Sequence, residues 1–149
     1  MRLFDFIKGV GEKIGIGGGD EAPDAEALKA EVEKHGLDVE GLDIKVDGDK
    51  VTVAGNAMTN EMREKVVLAV GNVEGVAQVE ETIEVKEGDA EAAFYTVEKG
   101  DTLWKISETH YGKGNGGKYN VIFEANKPML SHPDKIYPGQ VLRIPPLEA

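Results

Sequence analysis

The sequence predicts an α+β protein built from two small units, and three observations carry that reading. Between residues 24 and 86, helical periodicity and strand alternation follow in the order helix, strand, strand, helix, strand. Between residues 94 and 146, Tyr95-Thr96-Val97 and Val141-Leu142-Arg143-Ile144 read as strands attached to polar glycine turns, with helix-like sequence between them. The stretch Glu87-Gly88-Asp89-Ala90-Glu91-Ala92-Ala93 is acidic, small-residued and without period, which marks a linker. The expected bounds are 1–19 for an N-terminal helix and glycine-rich segment, 20–86 for the first unit, 87–93 for the linker and 94–149 for the second unit.

Taken in order, residues 2–14 place Leu3, Phe6, Ile7, Val10 and Ile14 at helical spacing, with Arg2, Asp5, Lys8, Glu12 and Lys13 largely opposite. That predicts a short amphipathic helix packed on the unit that follows. Gly15-Ile16-Gly17-Gly18-Gly19 then predicts a turn or flexible link, since glycine holds regular structure poorly. After Pro23, Asp24 is placed to cap a helix through His35, with Leu28 and Val32 on one face and Gly36 as the stop. Leu42, Ile44 and Val46 alternate with Asp43, Lys45 and Asp47; the turn Asp47-Gly48-Asp49-Lys50 reverses the chain, and Val51 and Val53 resume the alternation. Thr59 caps a second helix whose stripe is Met62, Val66, Ala69, Val70 and Val73, interrupted at Gly71 and Gly75. A strand from about Val76 to Val85, with Val79, Ile83 and Val85 inward, completes a three-stranded sheet covered by two helices on one side.

Composition narrows the function classes. The chain of 149 residues has no cysteine, which removes disulfides and thiolate chemistry and fits a reducing compartment, and its three scattered histidines make a poor zinc centre. No apolar run reaches the roughly 20 residues of a membrane span, and Asp5 and Lys8 interrupt what would be a signal-peptide core, so a cytoplasmic protein without stable membrane insertion is expected. Of the net charge of −11, the acid is concentrated in residues 20–91, with twenty acidic against seven basic side chains. Such a field repels nucleic acid and draws cations without selecting among them. There is no phosphate loop and no nucleophile motif, and His35, His110 and His132 sit where surface or helix-end histidines are expected, so no enzyme is predicted.

Two family resemblances add to this. The run Tyr95-Thr96-Val97-Glu98-Lys99-Gly100-Asp101-Thr102-Leu103-Trp104, closed by Ile136-Tyr137-Pro138-Gly139-Gln140-Val141-Leu142-Arg143-Ile144-Pro145, resembles the LysM module, a β-α-α-β glycan-binding domain. The resemblance implies a shallow groove for N-acetylated sugars between Gly100, Asp101, Thr102 and Leu103 on one side and the segment from Ser131 to Ile136 on the other, with exposed loop backbone beside an aliphatic floor. Asp101 or Thr102 as a helix N-cap accounts for Gly-Asp-Thr equally well, and Trp104 and Tyr119 read as core aromatics. Residues 24–86, with Val51-Thr52-Val53-Ala54-Gly55 before a helix and Gly75-Val76 leading into the last strand, resemble the α-β-β-α-β BON domain.

The whole arrangement resembles the small bacterial potassium-binding proteins, which implies a monomeric cytoplasmic protein that binds K⁺ and becomes compact. A glycan-binding protein, or a BON-type membrane-associating stress protein, is the alternative. K⁺ prefers many neutral oxygens, which backbone carbonyls supply without mutual charge repulsion, whereas carboxylate cages favour Ca²⁺ or Mg²⁺. No stretch matches the calcium loop pattern. Carbonyls come free at helix C-termini and glycine turns, and two places offer them: Ile7, Val10 and Gly11 near the first helix end, and Gly71, Val73, Gly75 and Val76 where the BON-like helix stops. Gly71 and Gly75 as plain helix stops is the other reading of those glycines.

Overall fold

The computed structural model describes residues 2–7, 23–88 and 92–146. The first unit is a four-stranded sheet with two helices. Its strands are β1 (Arg2–Asp5), β2 (Glu40–Asp47), β3 (Lys50–Thr59) and β4 (Gln78–Glu87), and its helices are α1 (Ala25–Lys34) and α2 (Asn60–Gly71). The spatial order is β1-β4-β3-β2. β2 and β3 form the expected antiparallel hairpin, while β3 and β4 run parallel, as a crossover through α2 demands.

Sequence spacing explains each helix. Asp24 accepts the Ala27 N–H at 2.8 Å and Thr59 accepts the Met62 N–H at 3.2 Å, so both expected N-caps are in place. Leu28 and Val32 of α1 and Val66, Val67 and Val70 of α2 share one core with Val51, Val53 and Val79 of the sheet. Register sets an apolar row across that sheet, Phe4 opposite Val79, Val79 beside Val51, and Val51 opposite Val46.

The N-terminus departs from expectation. Residues 2–5 form strand β1, antiparallel to β4, and not the start of an amphipathic helix; residues 8–14 of that expected helix, with Val10 and Gly11, lie outside the described residues. The physical reason is a period of two that the helical reading passed over: Phe6 is buried and Phe4 half-buried, while Leu3, Asp5 and Ile7 are exposed. Phenylalanines at alternate positions suit a pleated edge, and the open side of β4 supplies hydrogen bonds that a short isolated helix would lack.

A second difference lies on β4. Glu81 shares the inward face with Val79 and Ile83 and is buried, its charge met by Arg63 of α2, with Nε 3.1 Å from Oε2. Val85 is only half-buried.

The second unit comprises β5 (Ala93–Thr96), α3 (Leu103–Tyr111), α4 (Tyr119–Ala125) and β6 (Val141–Ile144). β5 and β6 pair antiparallel, and the two helices close over Val97, Leu142 and Ile144 with Leu103, Ile106 and Ile122. Buried Asn126 pins α4 to β6: its amide donates to the carbonyls of Ile122 and Arg143 and accepts the Arg143 N–H.

The two units are joined through contacts on three levels. Phe4 of β1 stacks on Phe94 of β5 with ring centroids 4.7 Å apart. Arg143 of β6 reaches Glu64 of α2 in a buried ion pair, with Nη2 2.8 Å and Nε 3.1 Å from Oε1. Asn72, the C-cap of α2, pairs with the backbone of Val141. Phe94, Met129 and Val141 thereby extend the first core into the second unit.

Candidate functional site

The turn that follows α2 is built from glycines with distinct tasks. Gly71 ends the helix and is buried against the Phe6 ring; a β-carbon there would lie 2.0 Å from Phe6 Cζ, so only a hydrogen at that position lets the ring seat. Gly75 has φ +99°, a backbone region that L side chains rarely adopt. Between and after them Val73 and Val76 are buried, side chain and backbone alike. The Val73 carbonyl accepts the Val76 N–H at 3.1 Å and keeps a second lone pair.

The N-terminal segment lies against this turn. Phe6 seats on Gly71, and its N–H donates to the Ala77 carbonyl at 2.8 Å. Ile7, next in the chain, has its side chain exposed. Of the residues expected to supply carbonyls, Ile7, Gly71, Val73, Gly75 and Val76 are therefore gathered at one end of α2; Val10 and Gly11 lie outside the described residues. The helix places its partial negative charge there. Among the described residues, no three histidine, aspartate or glutamate side chains converge on a metal-sized site.

The second candidate is the groove of the C-terminal unit. Thr102, Leu103, Trp104, Tyr119, His132, Pro133 and Asp134 line an open cavity of about 340 Å³. Thr102 and Leu103 come from the loop named by the sequence, and His132 to Asp134 from the facing loop. Gly100, Asp101 and Ile136 are not among its lining residues. Thr102 is the N-cap of α3, accepting the Lys105 N–H at 3.1 Å. His132 caps the short turn after it by accepting the Asp134 N–H at 3.1 Å.

Trp104 is not a core aromatic: it is 49% exposed, with its indole lying on Gly116, where a β-carbon would meet Cε2 at 2.2 Å. Tyr119, half-buried, does pack against the core. Exposure of Trp104 was missed because Leu103 beside it carries the buried position that the motif demands.

Asp101 instead locks the turn before α3, accepting the Glu98 N–H at 2.8 Å and the Tyr95 hydroxyl. That hydroxyl hydrogen bond, with burial and the nearby charges of Asp101 and Glu98, pushes Tyr95 up from 10.0 to about 12. The bond from Tyr95 and the one from Glu98, helped by the charge of Lys105, hold Asp101 below 3.8 against the opposing effect of burial. Tyr95, raised in the folded state, contributes stability complete below pH 10 and lost as pH rises towards about 12. Asp101, lowered, contributes stability present above pH 3.8 and lost as pH falls through its folded value. Urea unfolding should show wild type more stable than Tyr95→Phe at neutral pH, with the gap shrinking in both windows; a gap independent of pH would refute the pairing.

Among the described residues no helix is long and apolar enough to cross a membrane. Comparison with known proteins agrees with the architecture: residues 20–87 match the BON domain model and residues 95–145 the LysM domain model. The chain is 44% identical over 149 residues to a protein of Escherichia coli O6:H1 named potassium binding protein Kbp, an alignment covering 97% of this chain and 99% of that one. It is also 35% identical over 116 residues to an uncharacterized protein of Deinococcus radiodurans, covering 70% of this chain and 44% of that longer relative, so it spans under half of it.

Proposed function

Because this chain belongs to the family of potassium binding protein Kbp, we propose that it is a binding protein for K⁺, held by backbone carbonyls and becoming compact as the ion binds. The observation that carries this reading is the seating of Phe6 on Gly71, which lays the chain after β1 against the glycine turn after α2. Ile7 is proposed to give a carbonyl oxygen from one side, and Gly71, Val73, Gly75 and Val76 from the other; Val10 and Gly11, proposed as further donors, lie outside the described residues. Uncharged oxygens suit a large, weakly hydrated ion, the C-terminus of α2 adds partial negative charge, and the acidic first unit concentrates cations around the site. The proposed setting is the cytoplasm and the proposed state a monomer; the absence of cysteine fits a reducing compartment.

Calorimetric titration with KCl, against NaCl at matched ionic strength, should give saturable heat for K⁺ alone. Equal heats for both salts, or none for either, would remove the proposal.

A second reading has its own support. Trp104, exposed and lining the LysM groove together with Tyr119, offers an aromatic face to an N-acetylated glycan. Trp104 is the single tryptophan, so its fluorescence reports on that groove directly. Titration with chitin oligomers should shift the emission, and calorimetry should show that Trp104→Ala, which lacks the fluorophore, no longer binds them; an unmoved wild-type spectrum at saturating oligomer would dismiss the glycan.

A further inference from the structure

The polar links between the two units differ in where they begin, and one begins inside the proposed ion turn. Asn72 stands between Gly71 and Val73 as the C-cap of α2. Its Nδ2 donates to the Val141 carbonyl at 2.8 Å and its Oδ1 accepts the Val141 N–H at 2.9 Å, across 69 residues of sequence. Val97 N–H takes the carbonyl of Gln140, so the peptide groups of Val141 face the other edge of β6. The carboxamide of Asn72 matches a peptide in its donor, acceptor and plane, and it continues that ladder as a neighbouring strand would.

Such two-point pairing is directional. It holds only while the backbone at residue 72 aims the side chain at β6, and that backbone is set by its neighbours, Gly71 and Val73. The ion pair between Glu64 and Arg143 starts eight residues before Asn72 on α2, about 12 Å along the axis at 1.5 Å per residue, and does not depend on the turn. The stacked rings of Phe4 and Phe94 tolerate changes of angle that a paired amide does not. Beside Asn72 a cleft of about 310 Å³ opens between the units, lined among others by Leu68, Met129 and Gln140, so the side chain has room to leave.

We propose that Asn72 is the positioning residue through which ion occupancy of the turn is read out as docking of the LysM unit. The proposal rests on the potassium reading above. An ion held by the carbonyls of Gly71 and Val73 fixes residue 72 between them, aims its amide at Val141, and so favours the docked arrangement. Linkage makes the effect reciprocal: docking then tightens the hold on the ion by the same factor.

The test uses the full chain, with K⁺ affinity measured by calorimetry against Na⁺ and compactness by small-angle scattering with and without KCl. Wild type should bind K⁺ and shrink. Asn72→Ala should bind K⁺ about fivefold or more weakly, the lower end of ordinary coupling between sites, and its radius of gyration should no longer respond to the ion. Asn72→Gln, whose amide overshoots by one methylene, should lose the response in the same way and serves if the alanine variant does not fold. Glu64→Gln, which weakens docking without touching the turn, should expand the protein in both salts yet keep its response to K⁺. Either Asn72 variant compacting with K⁺ as wild type does, or Glu64→Gln losing its response equally, overturns the coupling and leaves the ion site standing. Wild type without potassium-selective heat overturns the ion reading, and the coupling falls with it.

Discussion

Gly71→Ala is expected to abolish the potassium response. A β-carbon at this position would lie 2.0, 2.2 and 2.3 Å from three carbons of the Phe6 ring, and neither the helix end nor a ring buried to 8% exposure can yield that much. The ring must leave, and with it goes the hydrogen bond from Phe6 N–H to Ala77 that holds Ile7 beside the turn. Overpacking of this kind costs about 1–3 kcal/mol, and loss of one wall of the ion site should weaken K⁺ at least about tenfold, or about 1.4 kcal/mol. The double variant separates the causes. In a Phe6→Ala background the same Gly71→Ala change meets no ring, and alanine's helix preference of about 0.8–1 kcal/mol over glycine should make it neutral or stabilising. Urea unfolding of the four proteins of that cycle, with calorimetry on each, checks both signs; wild-type affinity in Gly71→Ala would refute the placement of the site.

Arg143→Ala should be the most destabilising single truncation at the junction of the units. The guanidinium donates twice to Glu64 Oε1 and once to the Ala125 carbonyl at 3.0 Å, while Glu64 Oε2 accepts the Ala92 N–H at 3.1 Å. Glu64 is 2% and Arg143 4% exposed. Removing the cation leaves Glu64, where water barely reaches, with only the Arg63 guanidinium 3.9 Å from Oε2, and breaking such a buried pair costs about 3–5 kcal/mol, far beyond the roughly 0–1 kcal/mol of a surface pair. Because the pair spans both units, thermal unfolding should change from one cooperative transition to two. Replacing both partners, as in Glu64→Leu with Arg143→Met, should recover most of the loss, since the pair's attraction mainly offsets its own desolvation. A loss below about 1 kcal/mol in Arg143→Ala would mean that the junction is wetter than it stands here.

Much of each unit could be read from local chemistry. Asp24, Thr59 and Thr102 announce helix starts because a side-chain oxygen three residues ahead of an amide is a short-range device, and Ile44, Val51 and Val53 announce strands because alternation needs no distant partner. What stayed hidden depends on residues far apart in sequence. Arg2-Leu3-Phe4-Asp5-Phe6-Ile7 fits a helix and a strand about equally, and β4, more than seventy residues on, decides between them. Glu64, Asn72, Glu81 and Arg143 look like solvent-facing residues until their partners are known; each is charged or amide-bearing, and each meets a polar or charged group from another element. Gly75 could be expected to carry an unusual backbone and does, at φ +99°, whereas Trp104 was misjudged because nothing in its immediate sequence tells an exposed ring from a buried one.

The first strand has a protective consequence besides its part in the turn. By pairing with residues 78–81 it covers part of one flank of β4, whose other flank runs parallel to β3. Were it to lift away, a row of bare amides and carbonyls would face outward, a template on which a neighbouring molecule could lay its own chain. The same few residues thus stand between a well-behaved solute and a sticky one, and conditions that loosen them invite clumping as well as loss of ligand.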